Sequence, residues 1–209
     1  MKVEDLDTPF LLVDLDSLEQ NLDRAQNYCA QHGIALRPHI KTHKCINIAR
    51  MQMERGAIGI TAQKLGEAEV MADAGIAQDI LIPYNIVGPQ KLERLAALAR
   101  RTQTTVAADS EYTVQGLSDA CSQADVTVGI VIEIWQGRTG VKNATKAVEL
   151  AQLVDRSPGT DIRGIMIMPS PPSARPLIRE FLEKFDAHGI PYPMVSGGAS
   201  PYLWTAHEI

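Results

Sequence analysis

The feature that most constrains this chain is a recurring unit in which a helix-length amphipathic stretch meets a glycine and then a short β-branched run. Gln31-His32-Gly33 leads into Ile34-Ala35-Leu36, Arg55-Gly56 into Ala57-Ile58-Gly59-Ile60, Ala74-Gly75 into Asp79-Ile80-Leu81-Ile82, and His188-Gly189 into Pro193-Met194-Val195. Glycine enters the left-handed backbone region without steric cost, so each of these glycines marks a helix C-terminus. Apolar residues return at i, i+3, i+4 and i+7 in Leu92, Leu95, Ala96 and Ala99, in Ala147, Leu150, Ala151 and Val154, and in Ile178, Phe181, Leu182 and Phe185, giving each helix one buried stripe. The runs between them, most clearly Val126 to Ile132, are apolar on both faces, as parallel strands covered by helices are. Such alternation implies right-handed βαβ units, in an open doubly wound sheet or a closed barrel; periodicity does not separate the two.

After an N-terminal strand at Phe10 to Asp14, candidate strands fall near 34–41, 58–61, 79–82, 103–107, 126–134, 162–168 and 192–195. That is about seven, where eight close a barrel. The chain ends at Trp204 to Ile209 with no further strand, so the expectation is a single α/β domain over 1–209, a TIM-type (β/α)8 barrel cut short.

A 209-residue chain with 45% hydrophobic content can bury one sizeable core. Its net charge of −5 offers no basic excess to neutralise phosphates, which argues against nucleic acid as a partner. Its apolar runs are strand-sized, short of the roughly 20 residues a membrane helix needs. The first five residues, Met1-Lys2-Val3-Glu4-Asp5, are acidic and unlike a secretory signal. Cys29, Cys45 and Cys121 are widely spaced and odd in number, so neither a disulfide framework nor a zinc site is expected, and a reducing cytoplasm is the natural setting.

In a β/α barrel the active face lies over the C-terminal ends of the strands, which singles out four segments. In Leu36-Arg37-Pro38-His39-Ile40-Lys41-Thr42-His43-Lys44, strand alternation puts Arg37, His39 and Lys41 on one face. Neighbouring cations and partial desolvation would favour the free amine of Lys41, as a Schiff-base lysine requires; a basic surface loop is the alternative. His39 and His43 stand at i and i+4, a metal-ligating spacing on a helix, but Pro38 argues against a helix here and no metal is expected at this point. In Thr61 to Glu69, Gln63 sits at the strand mouth, while Glu67 and Glu69 fit the first turns of the next helix better than an acid/base pair. In Glu133 to Val141, Arg138 follows the longest strand between two glycines, where its planar fork can hold a phenolate or carboxylate or lie in solvent. Val195-Ser196-Gly197-Gly198-Ala199-Ser200-Pro201 is a small-residue turn after a late strand, the position at which barrels cradle phosphate.

Together these segments resemble the D-threonine aldolase and D-serine dehydratase group of fold-type-III enzymes that use pyridoxal 5'-phosphate (PLP) and share their barrel with alanine racemase. Asp7-Thr8-Pro9-Phe10-Leu11-Leu12-Val13-Asp14-Leu15-Asp16 is similar to the group's "TP-x-LLVDLD" opening, and Arg37 to Lys44 to its "RPHxKTHK" block. Lys64 to Val70 follows "K-x-GEAEV", and Ser196-Gly197-Gly198 matches the start of "SGGGTP". The resemblance implies a lyase cleaving D-3-hydroxy amino acids to glycine and an aldehyde, with a D-serine or D-3-hydroxyaspartate dehydratase, a racemase or a non-catalytic PLP-binding protein as alternatives. It implies Lys41 as the Schiff-base residue, with Gln63, Arg138, Ser196, Gly197, Gly198, Ala199 and Ser200 around the cofactor, and a homodimer that completes its active sites across subunits.

The chain also departs from the group. Glu133-Ile134-Trp135-Gln136-Gly137-Arg138 is about two residues short of the usual "Glu-x-Asp-x-Gly" approach to the arginine, and Gly164 to Ser170 carries Met168 where the group has an aromatic cofactor contact. Pro171 to Ala174 looks shortened, and Ala199-Ser200 replaces Gly-Thr. The group's C-terminal β-domain and its divalent-metal ligands, a His with Cys or Asp, would lie beyond Ile209.

Overall fold

The alternation of β-branched runs and amphipathic stretches yields six strands in the computed structural model, which describes residues 2–209: β1 Ile60–Thr61, β2 Asp79–Ile82, β3 Gln103–Ala108, β4 Val128–Ile134, β5 Thr160–Ile167 and β6 Met194–Ser196. They pair in chain order, every pair parallel, and curl into a half-barrel, an incomplete TIM-like barrel. The helices are α1 Leu15–Gln31, α2 Ile46–Glu54, α3 Leu65–Asp73, α4 Pro89–Ala99, α5 Glu111–Gln123, α6 Ala144–Arg156 and α7 Arg175–Ala187. Gly33, Gly56, Gly75 and Gly189 take φ of +65°, +103°, +63° and +65° just beyond α1, α2, α3 and α7, as the recurring unit predicts. Among the described residues no helix is long and apolar enough to cross a membrane.

Successive strand residues face opposite sides of the sheet. Ile80, Val106, Ile130, Ile132, Ile165 and Ile167 point outward and pack with Leu95, Leu117, Val154, Phe181 and Phe185 into the main core. Leu81, Ala107, Val131 and Met166 point inward and form a smaller cluster closed by Met194. Full burial of a side chain such as Phe181 stabilises the fold by about 1.5–3 kcal/mol.

Two expected strands do not form. Residues 34–41 run extended beside β1, with the Ile58 and Thr61 N–H groups donating to Leu36 and Pro38 carbonyls at 3.0 and 2.8 Å and the Ile40 N–H to the Thr61 carbonyl at 2.9 Å. Pro38 has no N–H, and the pairing reduces to a single bridge between His39 and Thr61. The segment therefore occupies a strand's place without a continuous ladder, and the strand count is six rather than seven. Phe10 to Asp14 pairs with nothing among the described residues, and Leu11 is 97% exposed; its one local task is at Asp14, whose carboxylate accepts the Ser17 N–H at 2.7 Å and caps α1.

Candidate active site

The pairing of 34–41 with β1 places Arg37, His39 and Lys41 along the concave face at increasing height. Arg37 is lowest and belongs to the scaffold: it is nearly buried, and its Nη2 meets Asp79 Oδ2 at 2.8 Å. His39 is half-buried, and its ring is pushed down to about 4, first by burial and then by the charge of Lys41, against the Thr61 backbone and Glu67, which pull the other way. It is a neutral imidazole near pH 7, and its Nδ1 accepts the Lys41 N–H at 3.4 Å. Lys41 is exposed, not partly desolvated as expected, because the chain turns away from the sheet immediately after it.

That turn is anchored from β1. Lys44, at φ +48°, reaches Glu67 Oε1 at 3.1 Å, and Glu67 Oε2 accepts the Gln63 N–H at 2.9 Å. Glu67 lies in the first turn of α3, as its position predicts, and Glu69 pairs with Arg94 on α4; the two acids do not form a catalytic pair. His43 accepts the Cys45 N–H at 3.0 Å and feels the Gln52 side chain, and no metal-sized group of three or more His, Cys, Asp or Glu occurs among the described residues.

Tyr84, in the loop after β2, is the centre of the rim and had no motif to signal it; only its place two residues beyond a strand end could have singled it out. The Gln63 amide at its oxygen holds the phenol below its ordinary value, ahead of burial, which opposes this; the Arg138 guanidinium and the charges of Arg138 and Lys41 add to the lowering. Arg138 Nη2 donates to the Tyr84 hydroxyl at 3.1 Å. Arg138 therefore touches the phenol directly, the Gln63 amide acts on the same oxygen, and Lys41 acts on it through its charge.

The fourth segment stands apart. Ser196 ends β6, and no hydrogen bond joins residues 196–200 to the Lys41 cluster among the described residues. Fully buried Ser170, three residues past β5, holds the turn: its N–H donates to the Gly198 carbonyl at 3.1 Å, and its hydroxyl accepts the Gly198 N–H. The Gly198 N–H is thus taken up within the protein, whereas the Ala199 and Ser200 N–H groups have no partner among the described residues. Beside Gly198, at φ +148°, nothing lies within 4 Å of where a Cβ would be. The following 3-10 segment, Ser200–Glu208, docks on α1 through Tyr28, His32, Trp204 and His207, the two imidazole rings stacking with centroids 3.8 Å apart. Met168, where the resemblance implies an aromatic group, is exposed.

A curled parallel sheet whose polar side chains gather over its strand C-terminal ends defines a domain of the β/α-barrel class. The family model of the alanine racemase N-terminal domain matches residues 13–208, and the chain belongs to that family. It is 40% identical over 162 residues to the D-threonine aldolase of Arthrobacter sp, covering 77% of this chain and 42% of the relative. It is 30% identical over 218 residues to the 3-hydroxy-D-aspartate aldolase of Paracoccus denitrificans (strain Pd 1222), covering 96% and 56%. The crystal structure of D-threonine aldolase from Filomicrobium marinum superimposes with a TM-score of 0.90 at 33% identity, over 99% of this chain and 60% of that one. The chain spans about half the length of the curated relatives it matches. Alanine racemase-like and D-threonine aldolase proteins depend on PLP.

Proposed function

We propose that the chain is the PLP-binding portion of a lyase acting on D-3-hydroxy amino acids, releasing glycine and an aldehyde. The observation that carries this reading is the Arg138 hydrogen bond to Tyr84 at the strand C-terminal ends, with the Gln63 amide and the charge of Lys41 acting on the same phenol. The cytoplasmic setting expected from composition belongs to the same proposal.

The residues present fit the cofactor. Lys41 offers an exposed amine, the Arg138 and Gln63 side chains offer donors beside it, and the unpartnered amides of Ala199 and Ser200, next to open space at Gly198, suit a phosphate. Lys41 would hold the cofactor covalently, and Ser196, Gly197, Gly198, Ala199 and Ser200 would hold its phosphate end. When bound, PLP supplies an electron sink for charge developing at the substrate Cα. Lys41 Nζ is the group placed to give up and recover a proton as substrate amine replaces it. Arg138, with its planar charged fork, would stabilise an oxyanion beside the Tyr84 hydroxyl. Neutral His39 beneath Lys41 accepts a backbone N–H without adding a second positive charge to the amine's surroundings.

The test is a visible spectrum of the purified chain with added PLP, then borohydride reduction and peptide mapping. The expected result is a stable label on Lys41 that vanishes in folded Lys41→Ala. Labelling elsewhere, or none in folded protein, overturns the cofactor assignment. Aldehyde release from D-threonine by a protein that carries this chain at the relatives' full length tests the substrate class.

A further inference from the structure

Two carboxylates on the concave rim have no task in the mechanism above. Asp109 directly follows β3, and Glu133, 6% exposed, is the last inward-facing residue of β4. Asp109 uses both oxygens between neighbouring loops: Oδ1 accepts the Asn85 side-chain N–H at 2.9 Å and Oδ2 the Gly140 backbone N–H at 3.0 Å. Asn85 adjoins Tyr84, and Gly140 lies two residues past Arg138. One carboxylate therefore ties the loop that carries the phenol to the loop that carries the guanidinium.

Glu133 acts on the same arginine loop from the other side. Its Oε1 accepts the hydroxyl of Thr139, the residue after Arg138, at 2.8 Å. The loop is also folded back on the end of β4 by its backbone, with Val141 N–H donating to the Glu133 carbonyl at 2.8 Å and Trp135 N–H to the Val141 carbonyl at 2.9 Å. Gly140, at φ +113°, permits this closure, since a Cβ there would lie 2.5 Å from the Trp135 nitrogen. Burial and then the Asp109 charge raise the proton affinity of Glu133 against the Thr139 hydrogen bond and the Arg138 charge, so the two acids and Arg138 form one interacting set.

We propose that Asp109 and Glu133 are positioning residues that hold Arg138 against Tyr84, so that the guanidinium arrives at the cofactor site already oriented. The proposal rests on the assignment of Lys41 and Arg138 to a PLP site. It gives the shortened Trp135-to-Gly140 loop a way to present its arginine by side-chain anchoring instead of by the longer approach of the resembling group.

The experiment is an absorbance titration with PLP of the parent chain and of D109N, T139V, T139S, R138A and the double variant D109N/R138A, each checked for folding by circular dichroism melting. Asparagine cannot accept on both side-chain atoms, so D109N should weaken PLP binding by about tenfold, with the borohydride label still on Lys41 at saturating PLP. T139V should weaken binding by about threefold, and T139S, which keeps the hydroxyl, should restore it. In the R138A background D109N should add almost nothing, because the two act through one contact, whereas a purely structural role would be additive. Near-parent binding by folded D109N and T139V, with R138A clearly weakened, overturns the positioning role and leaves the cofactor assignment standing. Near-parent binding by R138A overturns both. Should D109N not fold, the T139V and T139S pair decides.

Discussion

The rim over β1 to β4 and the rim over β5 and β6 belong to the same face of one sheet but are held in different ways. Over the first four strands each loop is tied to the next through side chains: Lys44 to Glu67 and Glu67 to Gln63, Asn85 and Gly140 to Asp109, Arg138 to Tyr84. Over the last two, the tie is between one serine and one glycine, Ser170 and Gly198, and Val195 in β6 is 45% exposed. β2, β3, β4 and β5 have a paired strand on either side, so a rim residue there has two neighbouring loops to bind, whereas β6 pairs with β5 alone. Charged side chains thus collect where they can be cross-linked, and the glycine-rich turn leaves the Ala199 and Ser200 amides without a partner among the described residues.

Five substitutions would break or sharpen this contrast. The largest effect is expected from Gly164→Ala, since Gly164 sits at φ +121° with its absent Cβ 2.0 Å from the Met194 carbonyl oxygen. The alanine would force β6 off β5 at a cost of about 3 kcal/mol or more, read as a fall in the urea midpoint and loss of PLP binding. Next, Ile132→Ala on fully buried β4 should cost about 2–5 kcal/mol, and Val195→Ala on the exposed strand under about 1 kcal/mol. Equal costs in urea unfolding would show β6 to be as well packed as the centre.

Ser170→Ala removes the acceptor of the Gly198 N–H and should destabilise the fold by about 1–3 kcal/mol while weakening inorganic phosphate binding severalfold. Unchanged phosphate binding would detach the turn from the proposed cradle. The smallest effect concerns His39, whose folded value is about 4 against an ordinary 6.5. Above pH 6.5 neither state holds the proton, and stability is complete. As pH falls from 6.5 towards 4 the unfolded chain takes up a proton that the folded chain refuses, so stability is lost across that window. His39→Gln should flatten this acid limb in pH-dependent melting; an unaltered limb would assign it to other groups.

Much of the scaffold was legible in local chemistry. Glycines at 33, 56, 75 and 189 end helices because only a residue without a Cβ takes left-handed φ freely, and two-sided apolar runs become parallel strands because helices cover them. Glu67 could be placed in the first turn of α3 from the macrodipole alone, and the four candidate segments do fall after strands or in a strand's place. The motif residues carried Lys41, Gln63, Arg138 and the 196–200 turn into one list, but spacing along the chain says nothing of which of them meet.

Chain order and helix periodicity are local, fixed by backbone sterics and by the 3.6- and 2-residue repeats. Partners brought together across strands are not. Tyr84 and Asp109 carry no motif, and with Glu133 they are brought into reach of one another because the curl of the sheet sets three successive strand ends side by side. Exposure was equally out of reach: Lys41 sits in solvent because the chain turns just past it, and Pro38 lowers a seventh strand to a single bridge through one missing N–H. Local pattern settled which elements form and where they stop, and tertiary packing decided which side chains share a charge, a hydrogen bond or a loop, because those energies depend on distances that only the folded sheet defines.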